Sequence, residues 1–318
     1  MSHLNLSQSN ITTEQYQGLL ERVLFSIFTT VPCCVFLFIN FTMLFILRSK
    51  AVFCEASRYI LLYNLLFADT VMLLLSQLMY IITACRILLT YPMCVVLNML
   101  AALTEEISPL TLVVMSLERY VAVCYPLSHA SIITIRTTVV AIIVVWAISS
   151  LNVLTRVILL LQFPFEDLQS LQMTKLCSVR VMFVVPTKFD YYNKAYTCFV
   201  FVSAGLAIIS SYIGVMIAAR SASTDKASTH KTRNTLLLHM MQLGLTLSST
   251  IHNPLITAVS DIVTRIVLVR IHSILCLSHI IFPRCLSVLI YGIRDQTIRP
   301  LLVYHLCCRK TLITVQFF

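Results

Sequence analysis

Glycine is nearly missing from this chain, with 5 in 318 residues, and so is charge, carried by only 11% of positions. Without glycine-rich turns there is no loop to cradle a phosphate and no nucleophile elbow, which excludes most nucleotide-dependent enzymes and hydrolases. The shortage of charge excludes an ordinary soluble domain, which carries about 25% charged residues. The 12 cysteines include no Cys-x-x-Cys or Cys/His spacing of a zinc site. A retinal protein would need a lysine in its last span, and residues 267–291 have none. The chain therefore reads as a non-enzyme.

Apolar surface is what the chain has in excess. Hydrophobic residues make up 58% of it and the mean hydropathy is +0.90, more than an aqueous core can use. Seven runs are long enough to span a bilayer: 22–47, 58–85, 93–123, 135–160, 194–219, 233–258 and 267–291. The sixth carries Arg233, His239, Gln242, His252 and Asn253, so it faces protein or water on one side. No linker or internal repeat divides the chain. The expected plan is a tail over 1–21, a seven-helix membrane bundle over 22–293, and a short amphipathic segment with a tail over 294–318.

The net charge of +10 sits in short segments between apolar runs, a topological pattern rather than a nucleic-acid footprint. Arg48, Lys50 and Arg58, then Arg136, then Arg220, Lys226, Lys231 and Arg233, then Arg294, Arg299, Arg309 and Lys310 mark one side. The alternate loops mix signs, as in Glu166, Asp167, Lys175 and Arg180. The basic side is expected in the cytoplasm and the N-terminus outside. Asn5-Leu6-Ser7 and Asn10-Ile11-Thr12 agree, being glycosylation sequons in a polar tail. Residues 1–18 lack the apolar core of a cleavable signal, so the first span serves as a signal-anchor.

The third run carries the most informative residues. Cys94 lies 25 residues before Arg119, roughly 37 Å along a helix and a little more than the ~30 Å hydrocarbon core. It therefore stands on the opposite face from Glu118, Arg119 and Tyr120. Met115-Ser116-Leu117-Glu118-Arg119-Tyr120, continuing to Tyr125-Pro126-Leu127, resembles the odorant-receptor signature of rhodopsin-like G-protein-coupled receptors, most of all that of fish odorant receptors. Asn40, Asp69, Trp146, Ser211-Tyr212 and Tyr291 stand where that class places its polar and aromatic anchors. Two prolines of the class are absent: its Asn-Pro-x-x-Tyr reads Ser287-Val288-Leu289-Ile290-Tyr291, and Ala204 replaces the proline of the fifth span. Their loss predicts spans without those kinks. Pro254 is present, with His252 where tryptophan is usual.

The resemblance implies a disulfide from Cys94 to Cys177, closing the long second outer loop over the bundle. It also implies a small-molecule odorant beneath that loop, with Ala101, Glu105, Glu106, Arg156 and His252 as candidate contacts, and a heterotrimeric G protein of the stimulatory olfactory type at the other face. Glu118, Arg119, Tyr120, Tyr212 and Tyr291 are the candidate coupling residues. Plasma membrane, in olfactory neuron cilia, is the expected location. Cys307 and Cys308 follow the amphipathic stretch from Arg294 to His305, where juxtamembrane cysteines are commonly palmitoylated.

Physical chemistry leaves several roles open. Asp69 at mid-membrane costs at least ~2.5 kcal/mol unless partnered, so it faces the bundle. With Asn40, Ser108 and Ser287 it forms either a cluster holding water or sodium or a hydrogen-bonded network without an ion. Arg119 either pairs structurally with Glu118 or releases it as a switch. Glu106 and Arg156 either make a structural ion pair beside a protonated Glu105, or Glu105 is the counter-charge for a cationic ligand. A class A receptor for a small amine or peptide is the nearest alternative function. A transporter or ion channel is the alternative from another class, though the repeats and broken helices of transporters are scarce here.

Overall fold

The computed structural model describes residues 2–85, 87–161, 187–222 and 274–307, with short stretches between 240 and 271. Among the described residues six helices are long and apolar enough to cross a membrane: Ser26–Ser49, Ser57–Thr83, Pro92–Cys124, Ile135–Leu159, Tyr191–Ala218 and Cys276–Ile293. They are the first five expected spans and the seventh. Most of the sixth, including His252, falls outside the described residues, as do Cys177, Cys308 and residues 223–239.

The first helix runs from Ser2 to Ser49 and absorbs the expected polar tail. Residues 2–21 contain one glycine and no proline, so no local signal ends the helix before the apolar run begins. Asn5 and Asn10 therefore stand on a helix. The fifth helix, Thr187–Ala222, has no proline at Ala204 and continues through that position.

The seventh span departs from its expected regular form. Its Cys276–Ile281 segment is a π-helical turn, followed directly by an α-helix over Phe282–Arg294 with Pro283 at its start. Pro283 has no N–H to bond the carbonyl four residues back and its ring crowds that carbonyl. The wider π turn accommodates both effects. The proline missing at 288 is thus offset by one at 283, and the span is interrupted after all.

The third span, Tyr91–Cys124, is the hub, packed against the second, fourth and fifth. Facing residues such as Leu65, Leu112, Met115, Ala204 and Ile208 are buried between them. The outward faces carry Phe38, Phe45, Ile143, Leu151, Phe199 and Ile217, exposed to where lipid would lie. Gly214 of the fifth helix is needed at its position, because a Cβ there would run into the Tyr120 ring of the third.

A short α-helix follows the last span. Asp295 breaks the seventh span and caps the next helix, Ile298–Cys307, its Oδ1 accepting from the N–H of Thr297 at 2.8 Å and of Ile298 at 3.2 Å. Ile298 and Leu302, four residues apart on one face, are buried against Met43, Leu47, Phe53 and Val288. The charged and polar residues Arg299, Tyr304 and His305 are exposed. The same Asp295 carboxylate uses Oδ2 to meet Arg58 at 3.6 Å and the Tyr59 hydroxyl at 3.2 Å, tying this helix to the second span.

Candidate functional site

The third span places three polar layers in line, and each draws partners from different neighbours. At its C-terminal end Glu118 is buried, its Oε2 3.4 Å from Arg119 Nε and its Oε1 3.8 Å from His129 Nε2. His129 begins the short helix His129–Ile132 that follows Pro126. The carboxylate therefore has a guanidinium on one side and an imidazole on the other. Tyr291 of the seventh span lies within electrostatic reach of both Glu118 and Arg119. Tyr120 turns toward the fifth span instead and packs edge-on against Tyr125. Tyr212 is half-buried on the fifth helix.

Three turns higher, Asp69 is buried with Ser108 donating to its Oδ1 at 2.7 Å and Ser287 bonding it as well. The decisive neighbour is Arg284, whose side chain is 1% exposed and whose Nε lies 3.7 Å from Asp69 Oδ1. Arg284 Nη1 donates to the Ile280 carbonyl at 2.7 Å, and its Nη2 is buried with no hydrogen-bond partner among the described residues. This revises the expected cluster in two ways. Asn40 is buried, but among the described residues neither its side-chain nitrogen nor its oxygen has a hydrogen-bond partner, so it stands outside the network. A sodium ion does not fit beside Asp69, because a guanidinium already holds the position that a cation would need and would repel it.

Next to it, Asn64 donates to Thr111 at 2.9 Å and accepts from the Trp146 indole at 2.9 Å, locking the second, third and fourth spans together.

The third layer lies on the Cys94 side of the bundle. Glu106 is buried and accepts from Asn152 Nδ2 at 2.6 Å and from the Tyr196 hydroxyl. Tyr192 donates to Asn152 at 3.0 Å and stacks on Tyr196 with centroids 6.0 Å apart. The expected direct ion pair of Glu106 with Arg156 is replaced by these neutral donors, which reach the carboxylate from the fourth and fifth helices. Arg156 is close enough to feel the charge of both glutamates, yet among the described residues it pairs with neither and its Nε is buried without a hydrogen bond. Glu105, Glu106, Arg156, Asn193, Tyr196 and Thr197 line one half-open cleft between the third, fourth and fifth spans. Ala101, one turn above Glu105, is half-buried on the same helix but is not among the lining residues. The cleft offers about 50 Å³ to water-sized occupants, well under the ~300–1,000 Å³ of sites for drug-sized ligands.

Cys94 is buried and disulfide-bonded, and its partner lies outside the described residues. Cys33 and Cys285 are buried thiols packed with Leu73 and Ile281.

Sequence reading missed Arg284, His129, Asn152 and Tyr196. Arg284 was detectable, being a cation inside an apolar run and three residues before Ser287, on the same helical face. His129 had no such signal, since only the turn after Pro126 brings it back to Glu118.

Residues 39–294 match the family model for the 7 transmembrane receptor (rhodopsin family). The chain is 35% identical over 280 residues to Odorant receptor 131-2 of Danio rerio, covering 86% of this chain and 83% of that protein. It is 26% identical over 194 residues to human Olfactory receptor 2A12, 60% of each chain. A shorter stretch of 57 residues is 42% identical to human Olfactory receptor 2A1/2A42, 18% of each.

Proposed function

This chain belongs to the rhodopsin family of seven-transmembrane receptors, and from that premise we propose that it is a chemosensory receptor which binds a small odorant in the Glu105 cleft and signals through a heterotrimeric G protein at the Arg119 end. The observation that carries this reading is that one helix bears both features: Glu105 in the cleft and the Glu118–Arg119 pair 13 residues further on, roughly 20 Å away. The relatives named for odorant and olfactory reception support the ligand class.

In this reading the cleft faces outward and the N-terminus is extracellular, which the basic residues of the opposite set of loops support. Cys94 pairs with Cys177, Asn5 and Asn10 carry glycans, and Cys307 and Cys308 carry palmitate beside the capped helix. Residues 22–293 form the receptor domain. Ligand entry between the third and fifth spans separates the helices that Gly214 lets approach at Tyr120, and Arg119 then leaves Glu118 to meet, with Tyr212, a Gα subunit of the stimulatory olfactory type. Olfactory cilia are the corresponding location.

The test is a small-molecule screen in cells carrying a cAMP reporter, with Arg119→Ala beside the native chain. Ligand-driven cAMP should vanish in Arg119→Ala while surface delivery and ligand binding persist. Full signalling from a well-delivered Arg119→Ala would refute the switch, and a screen with no response from the delivered native chain would refute the receptor assignment to this G protein.

A further inference from the structure

The geometry points to a small zwitterion, a molecule bearing both an ammonium and a carboxylate, as the ligand class of the Glu105 cleft; this rests on the receptor reading above. Among the described residues five charged groups line the cleft or stand just beneath it, and three are already committed. Arg284 is held against Asp69 at 3.7 Å below it. Glu106 has both carboxylate oxygens taken, one by Asn152 and one by Tyr196. Glu105 and Arg156 remain. Both line the cleft, and among the described residues no ion pair joins them.

Among the described residues Glu105 has no hydrogen bond or ion pair, and Arg156 Nε is buried with none. A guanidinium nitrogen left without an acceptor away from water is costly, and the half-buried Glu105 carboxylate beside it opens onto the cleft with room for a donor. An ammonium ligand would satisfy Glu105 and leave Arg156 Nε unpaired. A simple acid would satisfy Arg156 and leave Glu105 unpaired. An occupant carrying both ends satisfies both, with Asn193 and Thr197 on the cleft wall as further neutral polar groups. The small free space favours an occupant of few atoms over a long-chain or polycyclic one.

The experiment uses the full chain in reporter cells with matched triads: each of the common L-amino acids, its decarboxylated amine and its des-amino acid, beginning with alanine, ethylamine and propanoate. Surface delivery of every variant is measured by flow cytometry, and a broad panel of uncharged odorants is run in parallel. The expected result is an amino acid agonist at least about 30-fold more potent than both of its one-ended counterparts, the size expected for losing one buried charge partner. Glu105→Gln should erase its advantage over the acid, and Arg156→Gln its advantage over the amine. If Arg156→Gln stays inside the cell, the native chain's triad potencies decide alone. An amine equal to its amino acid in the native chain overturns the inference and leaves the receptor reading standing. So does a response to uncharged odorants with every triad silent. Silence to both sets in a surface-delivered chain overturns the two together.

Discussion

Arg284 and Asp69 should behave as one unit. Their side chains are 1% and 2% exposed and their nearest atoms lie 3.7 Å apart. At an effective dielectric of ~20 that separation corresponds to an attraction of about 4.5 kcal/mol, in line with the ~3–5 kcal/mol typically lost when one partner of a buried pair is removed. Arg284→Met leaves Asp69 with two serine hydroxyls, and Asp69→Asn leaves the guanidinium with the Ile280 carbonyl. Each single variant should lower the melting temperature of the detergent-purified receptor by on the order of 10 °C and reduce surface delivery. The double variant Asp69→Asn/Arg284→Met should recover most of the loss, since replacing both charges is commonly neutral or better. Strictly additive losses would refute the pairing. Exchanging sodium for N-methylglucamine should leave the native melting temperature unchanged and lower that of Arg284→Met, whose vacated position a sodium ion can fill. A native receptor that melts higher in sodium would refute the exclusion of the ion.

Cys94→Ser and Cys177→Ser should impair surface delivery equally, with the double variant little worse, because either change breaks one bond; additive losses would show that the sulfurs are not partners. Asp295→Ala removes a helix cap worth ~1 kcal/mol together with the Arg58 and Tyr59 contacts. Amide exchange should accordingly rise across Ile298–Cys307, and unchanged exchange would sever the link between cap and helix. Gly214→Ala should cost about 1–3 kcal/mol by overpacking against Tyr120. Gly214→Ala combined with Tyr120→Ala should regain most of that stability in the same thermal assay, and no recovery would place the strain elsewhere.

The spans were legible because period and length need no tertiary knowledge: the third was expected over 93–123 and runs over Tyr91–Cys124. The first helix start was not, since a polar segment without breakers gives no stop signal. At the site, charge inside apolar runs marked Asp69, Glu105, Glu106 and Arg156. Which of them meet depends on helix rotation and on neutral donors such as Asn152 and Tyr196, whose residue types are common enough to attract no notice. Glu106 was therefore assigned the nearest cation, when two uncharged groups reach it first. The orphaned amide of Asn40 has no account in packing or hydrogen bonding.

The π turn at Cys276–Ile281 makes chain length itself a determinant of which way the inner half of the seventh span looks. One residue of an α-helix advances about 100°, and a turn that closes five residues on instead of four holds one residue more than its neighbours. Removing that residue would let the turn close as an ordinary helix and swing Arg284, Ser287 and Tyr291 by roughly a quarter turn, pointing the guanidinium at lipid. A segment of six residues that contributes no side chain to the Asp69 cluster thus sets, through its residue count alone, the direction in which that cluster's arginine looks.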